Sequence, residues 1–466
     1  MLGIRPPVAF ALVLAFPSLG ISVMTHAQSM PKSAATASKP AAKHTHAAAL
    51  TPEQVHRAAI VIDTHEDTPQ RLVDDHYDLA DPLGSGQVNL DAIHKGNLGA
   101  AFFSIWVEPK LYEGQYAHRT LELIDATRNQ AARHPDQIRF TTTADGILAA
   151  HREHKFALLM GIEGGHSIEH SLSLLRMYYD LGVRYMTLTW SNSNGWADSS
   201  GDTDDATVPH TADGLSDFGK DVVYEMNRLG MIVDVSHVSD KTFYRTLVIS
   251  RAPVIASHSG ARALCDAPRN MTDDMLRAIA RSGGPDSKGG VVMVNFYSGF
   301  ISQAYRNAQQ AQRPEVLRAE QALRDKFKAE GRTLTYGDLD KVDREYANRI
   351  PRPPLSDLID QIDHIAKVAG IDHVGIGTDF DGISGQLPQG IDSAADLPKV
   401  TAALMARGYS AADCDKILGG NFLRVFHEIE QVSHQLQSQT SQSQPGQPST
   451  RPRITVMQPH STAPAQ

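Results

Sequence analysis

The chain has 466 residues, 41% hydrophobic, 21% charged and 6% aromatic, the balance of a globular protein with a large core rather than a fibrous or mainly disordered one. Its formal charge of −9 leaves no basic surplus to recruit nucleic acid or anionic lipid. Two cysteines against 21 histidines exclude a disulfide framework and a four-cysteine zinc site, so any metal has to be held mainly by His, Asp and Glu.

Taken in chain order, residues 1–27 carry Arg5, an apolar stretch from Val8 to Phe16, and Thr25, His26 and Ala27 ahead of Gln28. That is the layout of a secretory signal peptide, and Pro17 and Gly20 interrupt the stretch too early for a membrane span. Residues 28–48 are rich in Ala, Ser, Lys and Pro, and residues 434–466 in Gln, Ser and Pro. Neither segment can bury enough apolar surface to offset chain entropy, so a flexible linker and a flexible tail are expected. His44 and His46 fall in that linker and read as solvated. The folded part is residues 49–433, in a chain expected to be secreted or periplasmic and, once processed, without a membrane span.

Within that part, eight short apolar runs alternate with helical-period segments: Ala59–Asp63, Leu98–Val107, Phe156–Ile162, Val183–Leu188, Met231–Val235, Pro253–Ala256, Gly290–Phe296 and His373–Ile376. The runs are continuous rather than alternating, as in parallel strands covered on both faces. Tyr116–Arg133, Ser216–Leu229, Asp273–Ser282 and Leu355–Ala369 have the spacing of amphipathic helices. Eight strand–helix units predict a (β/α)8 TIM barrel, with a doubly wound open sheet as the alternative, since periodicity does not reveal closure. Residues 301–350 are surplus to that count. Their charged stretch Glu315–Ala329 predicts a helical insertion before the last strand, an outer elaboration whose charges face solvent. Gly283–Gly290 lacks phosphate-loop spacing and reads as a turn.

Run after run ends in a potential ligand. The first leads into His65 and Asp67, two apart and so on one face of a strand. The third ends at Glu163, the fifth leads to His237, the sixth to His258, and the eighth to Asp379 and Asp381. Each has an ordinary reading, as a hydrogen-bonded core histidine or a helix N-cap. Together they gather ionisable groups at the C-terminal mouth of one barrel, where active sites of this fold are assembled. Burying so many acceptors is costly without a cation to share. Imidazole and carboxylate suit zinc, and the five candidates His65, Asp67, Glu163, His237 and His258 exceed one tetrahedral site, so a carboxylate bridging two ions is the natural arrangement.

In the stretches Asp63–Asp67, Gly161–His166, Leu181–Leu188, Trp196–Ser199, Met226–Met231, Asp234–Ser239, Ser257–Ser259, Arg262–Cys265, Pro268–Asn270, Gly375–Gly382 and Gly419–Phe426, the chain resembles the membrane (renal) dipeptidase family of binuclear zinc peptidases, over about residues 50–430. The resemblance implies a barrel of the metal-dependent hydrolase type. In it, His65 and Asp67 would bind one zinc and His237 and His258 the other, Glu163 would bridge them, and a hydroxide held between the two ions would attack the peptide bond of a dipeptide with free ends, L,D-dipeptides included. It assigns the acid/base role to Asp379 and the substrate's terminal carboxylate to Arg269, and it suggests a homodimer.

The chain departs from the family at Trp190, where a histidine in a Leu-Thr-His context is usual. An indole donates one hydrogen bond but exchanges no proton, and losing an oxyanion donor costs about 2.7–4 kcal/mol. Two alternatives therefore stay open: a hydrolase of another small amide, such as an N-acyl amino acid or a lactam, and a non-catalytic metal- or ligand-binding barrel. Cys265, inside a family stretch, reads as a small buried hydrophobe.

Overall fold

The computed structural model describes residues 50–211 and 213–442; the expected signal peptide and linker lie outside the described residues, as does the tail beyond 442. Nine strands form one parallel sheet: β1 (Val61–Glu66), β2 (Leu98–Trp106), β3 (Ile138–Phe140), β4 (Phe156–Glu163), β5 (Val183–Thr187), β6 (Ile232–Asp234), β7 (Ile255–Ser259), β8 (Val291–Val294) and β9 (Val374–Ile376). Eight of them follow the order β1-β2-β4-β5-β6-β7-β8-β9, one for each predicted apolar run. The chain after β9 returns to β1, where Asp379 N–H donates to the His65 carbonyl (3.0 Å) and Asp67 N–H to the Phe380 carbonyl (2.8 Å). These bonds bring the sheet round on itself and decide between barrel and open sheet.

The strand missing from the sequence reading is β3. It pairs with Phe156–Leu158 at the start of β4, and β5 takes over the same edge from Met160. Three residues with Arg139 in the middle carry too little apolar signal to be seen as a run.

The barrel interior is filled by alternate strand residues. Ala100 and Phe102 of β2, Ala157 and Leu159 of β4, Tyr185 of β5 and Met293 of β8 join Phe422, Val425, Phe426 and Ile429 of the last helix in one buried cluster. That helix, Asn421–Gln442, inserts its apolar face into the barrel core, and Phe102 meets the Phe422 ring edge-on at 5.3 Å. Truncating such a buried aromatic to alanine costs about 3–5 kcal/mol. Room for Tyr185 comes from Gly161, where a Cβ would lie 2.0 Å from the Tyr185 ring. The last helix runs past the expected boundary at 433, because Ser433 and Gln437 both donate to the Arg228 carbonyl, at 2.8 and 2.9 Å. Polar composition alone hid those two anchors.

Outside the barrel, Tyr116–Arg133 and Leu355–Ala369 are helices over the predicted spans. Ser216 and Gly230 cap the helix Asp217–Leu229. The helix Asp273–Ile279 stops before the expected Ser282. Cys265 and Cys414 are buried free thiols. The insertion forms two helices, Gln303–Glu330 and Tyr336–Ala347, and among the described residues no helix is long and apolar enough to cross a membrane.

Candidate metal centre and substrate cleft

Glu163 ends the regular series Ala157, Leu159, Gly161, Glu163 and so points up the barrel axis into a cleft of about 300 Å³. Its two oxygens face different partners. Oε1 lies 2.7 Å from His237 Nε2 and 3.5 Å from His258 Nε2. Oε2 lies 3.3 Å from His65 Nε2 and accepts from Ser104 Oγ at 3.1 Å. Asp67 Oδ2 stands 3.5 Å from the same His65 nitrogen. The carboxylate therefore separates a His65/Asp67 pair from a His237/His258 pair.

The histidines themselves sit where strand regularity breaks. The β1–β2 ladder shifts register between Asp63 and Glu66, and the β7–β8 ladder between Ala256 and Ser259, on either side of His65 and His258. Asp67 lies past the end of β1, so the simple two-residue alternation predicted for His65 and Asp67 is replaced by a register shift followed by a turn. His237 lies beyond β6 with φ 66°, and Asp379 beyond β9 with φ 65°, a left-handed geometry that costs energy in a residue with a Cβ and collects at functional sites.

A further set of polar residues orients these ligands. Tyr185 OH is 2.7 Å from His65 Nδ1, so a proton on Nδ1 leaves the Nε2 lone pair free. Ser257 Oγ donates to Asp234 Oδ2 (2.6 Å) and lies 2.8 Å from His258 Nδ1, which fixes His258 in the same sense. Burial, with the Arg269 charge adding to it, pushes His237 down to about 3. Burial and the neighbouring His65 hold His258 well below its ordinary value. His65 goes the other way: burial opposes its charging, but Tyr185, Glu163 and Asp67 outweigh burial. Burial also opposes ionisation of Glu163, yet the His65 charge and the adjoining imidazoles of His237 and His258 hold it well below the carboxylate range.

These donors fit a divalent cation. His65 Nε2 is buried and has no hydrogen-bond partner among the described residues, and the two Nε2 atoms of His237 and His258 face each other at 3.0 Å, a contact two neutral acceptors make only with a proton or a cation between them. His65, Glu163 and His258 bring ligand atoms within 4.8 Å of one another, as do His65, Asp67 and Asp379. At Gly382 a Cβ would lie 2.0 Å from Asp67 Oδ2 and 2.7 Å from Asp379 Oδ1, so the glycine keeps this cradle open.

Burial pushes Asp379 up to about 7; the His65 charge opposes this, Asp67 and Glu163 add to it, and a hydrogen bond from Asn295 opposes it. That bond, Nδ2 to Oδ2, is 2.8 Å long. Asp381, the second aspartate of the pair, is a structural tie that accepts from Thr68 Oγ1 (2.8 Å) and Gln87 N–H (2.7 Å). Arg269 lines the cleft. Its Nη2 donates to the His258 carbonyl at 3.1 Å, while Nη1 is buried without a hydrogen-bond partner among the described residues. Trp190 also lines the cleft, 4.9 Å from the Trp106 ring and 6.2 Å from the His237 ring.

The cleft corrects one expectation outright. The insertion is not only an outer elaboration with a solvated face: Gln309 and Arg313 of its first helix and Tyr336 and Asp343 of its second line the cleft, with the Tyr336 ring edge-on to Trp106 at 4.8 Å. Sequence reasoning also passed over Ser104 and Trp106. Continuing the β2 alternation from Phe102 would have aimed both at the mouth.

A parallel barrel with histidines and carboxylates gathered at its C-terminal mouth defines the metal-dependent hydrolase class of barrel. Residues 50–440 match the family described as membrane dipeptidase, peptidase family M19, and the chain belongs to that family. It is 35% identical over 347 residues to dipeptidase 3 of Mus musculus, covering 74% of this chain and 59% of that protein. It thus spans less than two thirds of the mouse relative. A protein named as an uncharacterised dipeptidase in Schizosaccharomyces pombe is 33% identical over 403 residues, covering 82% of this chain and 84% of the relative. The solved structure of a probable dipeptidase from Pseudomonas aeruginosa superposes with a TM-score of 0.67 at 28% identity, over 82% of this chain and 98% of that one.

Proposed function

We propose that the protein is a zinc-dependent dipeptidase holding two zinc ions, one by His65 and Asp67, the other by His237 and His258, with Glu163 shared between them. The observation that carries this is the division of the Glu163 carboxylate, one oxygen toward each pair. When bound, such a metal pair supplies Lewis acidity toward the scissile carbonyl and lowers the pKa of water.

The chain's own residues do the rest. The free Nη1 of Arg269 takes the substrate's terminal carboxylate, for which the guanidinium fork is suited. Asp379, with a carboxyl pushed up to about 7, holds and returns the proton that the leaving amine requires. Holding the terminal carboxylate at Arg269 within a cleft of about 300 Å³ favours substrates as short as a dipeptide. Trp106, Trp190 and Tyr336 form an aromatic wall of the cleft.

Trp190 favours a second reading, hydrolysis of an N-acyl amino acid or a lactam, because the indole cannot take the role of an ionisable donor beside a tetrahedral intermediate. One panel separates the readings. Purified, metal-loaded protein is assayed on L,L- and L,D-dipeptides and on N-acyl amino acids, with and without chelator, before and after Trp190→His. Dipeptide turnover that chelator abolishes supports the dipeptidase, and a further rise in Trp190→His identifies the indole as the limiting difference. Turnover of N-acyl substrates alone moves the assignment to the second reading.

A further inference from the structure

The inserted helices carry a charge into the cleft that neither the metal centre nor the ends of a dipeptide use. Of the ionisable groups lining it, Asp67, Glu163 and His237 are proposed ligands, Asp379 and Arg269 serve the reacting bond and the terminal carboxylate, and Arg313 is paired with Glu320 at 3.3 Å. Asp343 remains, half-buried and without a hydrogen bond or ion pair to any described residue.

Asp343 is also held in place. Tyr336, Asp340 and Asp343 are four and three residues apart on the helix Tyr336–Ala347, hence on one face. Tyr336 packs on Trp106, and Asp340 accepts from Ser384 Oγ at 2.6 Å and from Arg344 Nε at 2.5 Å. Burial pushes the Asp343 carboxyl up to about 7; Glu320 and Asp340 push the same way and Arg313 opposes them. A cation arriving with the ligand within about 4–6 Å favours the charged form of such a carboxylate.

Its position along the substrate follows from its neighbours. Tyr336 OH donates to the Gly382 carbonyl at 3.4 Å and Ser384 Oγ to Asp340 at 2.6 Å, which seats the helix carrying Asp343 on the loop that follows Asp379, whereas Arg269 is tied to the His258 carbonyl after β7. Asp343 therefore stands on the Asp379 flank, away from the group assigned to the terminal carboxylate. We propose that Asp343 is a specificity-determining residue that receives a cationic side chain on the amino-terminal residue of the substrate, so that dipeptides beginning with lysine or arginine are favoured over neutral ones of similar size. This rests on the dipeptidase reading above.

The test compares kcat/KM for lysyl-alanine and norleucyl-alanine in the metal-loaded wild type, Asp343→Asn and Asp343→Glu. Wild type is expected to favour the lysyl substrate by about tenfold or more, Asp343→Asn to bring the ratio near one, and Asp343→Glu to retain the preference. A merely structural role would lower both substrates in proportion; an unchanged ratio in Asp343→Asn, or no preference in wild type, overturns the proposal. Non-hydrolysable phosphinate analogues with lysyl or norleucyl side chains, titrated by calorimetry, separate this claim from the dipeptidase reading. Tenfold tighter binding of the lysyl analogue by wild type and not by Asp343→Asn, without turnover of any dipeptide, upholds the selectivity and removes the reaction. Equal binding of the two analogues removes the selectivity.

Discussion

The two walls of the cleft are built differently. On the barrel wall, Glu163, His65 and His258 stand on strands whose backbone hydrogen bonds run round a closing sheet, and Tyr185, Ser257 and Asp234 fix the imidazoles from beneath. On the inserted wall, Gln309, Arg313, Tyr336 and Asp343 hang from two helices seated largely through side chains. Gln309 and Tyr305 reach Gln386 at 3.1 Å each, and Ser384 reaches Asp340. The first wall tolerates little displacement, because ligands shared by one centre move together. The second can change a side chain without moving the first. The proposed function accordingly assigns chemistry to the barrel wall and substrate choice to the inserted one.

The sharpest way to break that division is Asp379→Asn. Removing the group proposed to transfer the proton is expected to lower kcat by about 10²–10⁴-fold for every dipeptide alike, measured by steady-state kinetics across the substrate panel. A loss confined to one substrate class would place Asp379 with the selectivity residues instead. Next in size, Tyr185→Phe removes the oxygen that orients His65 and is expected to weaken metal binding by about 10–100-fold, read by competition with a chromophoric chelator. Unaltered affinity would leave Tyr185 as packing alone.

The smallest effect concerns pH. As the proposed base, Asp379 accepts a proton only in its ionised form, so activity is expected to be lost as pH falls through its pKa, which burial raises. The Asn295 hydrogen bond favours the ionised form, so Asn295→Ala raises the pKa further. The acid limb of the kcat/KM profile should move to higher pH, by up to about one unit. A shift to lower pH contradicts the assignment.

The difference between the walls also accounts for what could be read before the fold was known. Eight apolar runs became eight barrel strands because strands buried on both faces carry an unbroken apolar signal, and the ligands at their ends were visible as His, Asp or Glu terminating each run. The local geometry was not visible. Two-residue alternation explains Glu163 but not His65 or His258, which depend on register shifts, nor His237 and Asp379, which depend on left-handed backbone. The insertion was legible as helix, yet its charges were assigned to solvent. Helical spacing says which residues share a face, and only packing against the loop after β9 says which face meets the cleft. Arg269 shows the reverse case: beside an exposed proline its own surroundings suggest a surface arginine, and only the resemblance carried it into the site.

If one carboxylate serves two metal positions, the metal content of the protein depends on it twice over. Wild type and Glu163→Gln are loaded with zinc, dialysed and analysed by mass spectrometry alongside a circular dichroism spectrum to confirm folding. Two ions per chain are expected in the wild type, and loss of both from folded Glu163→Gln. Retention of one tightly held ion by the variant, or fewer than two in the wild type, would contradict that sharing.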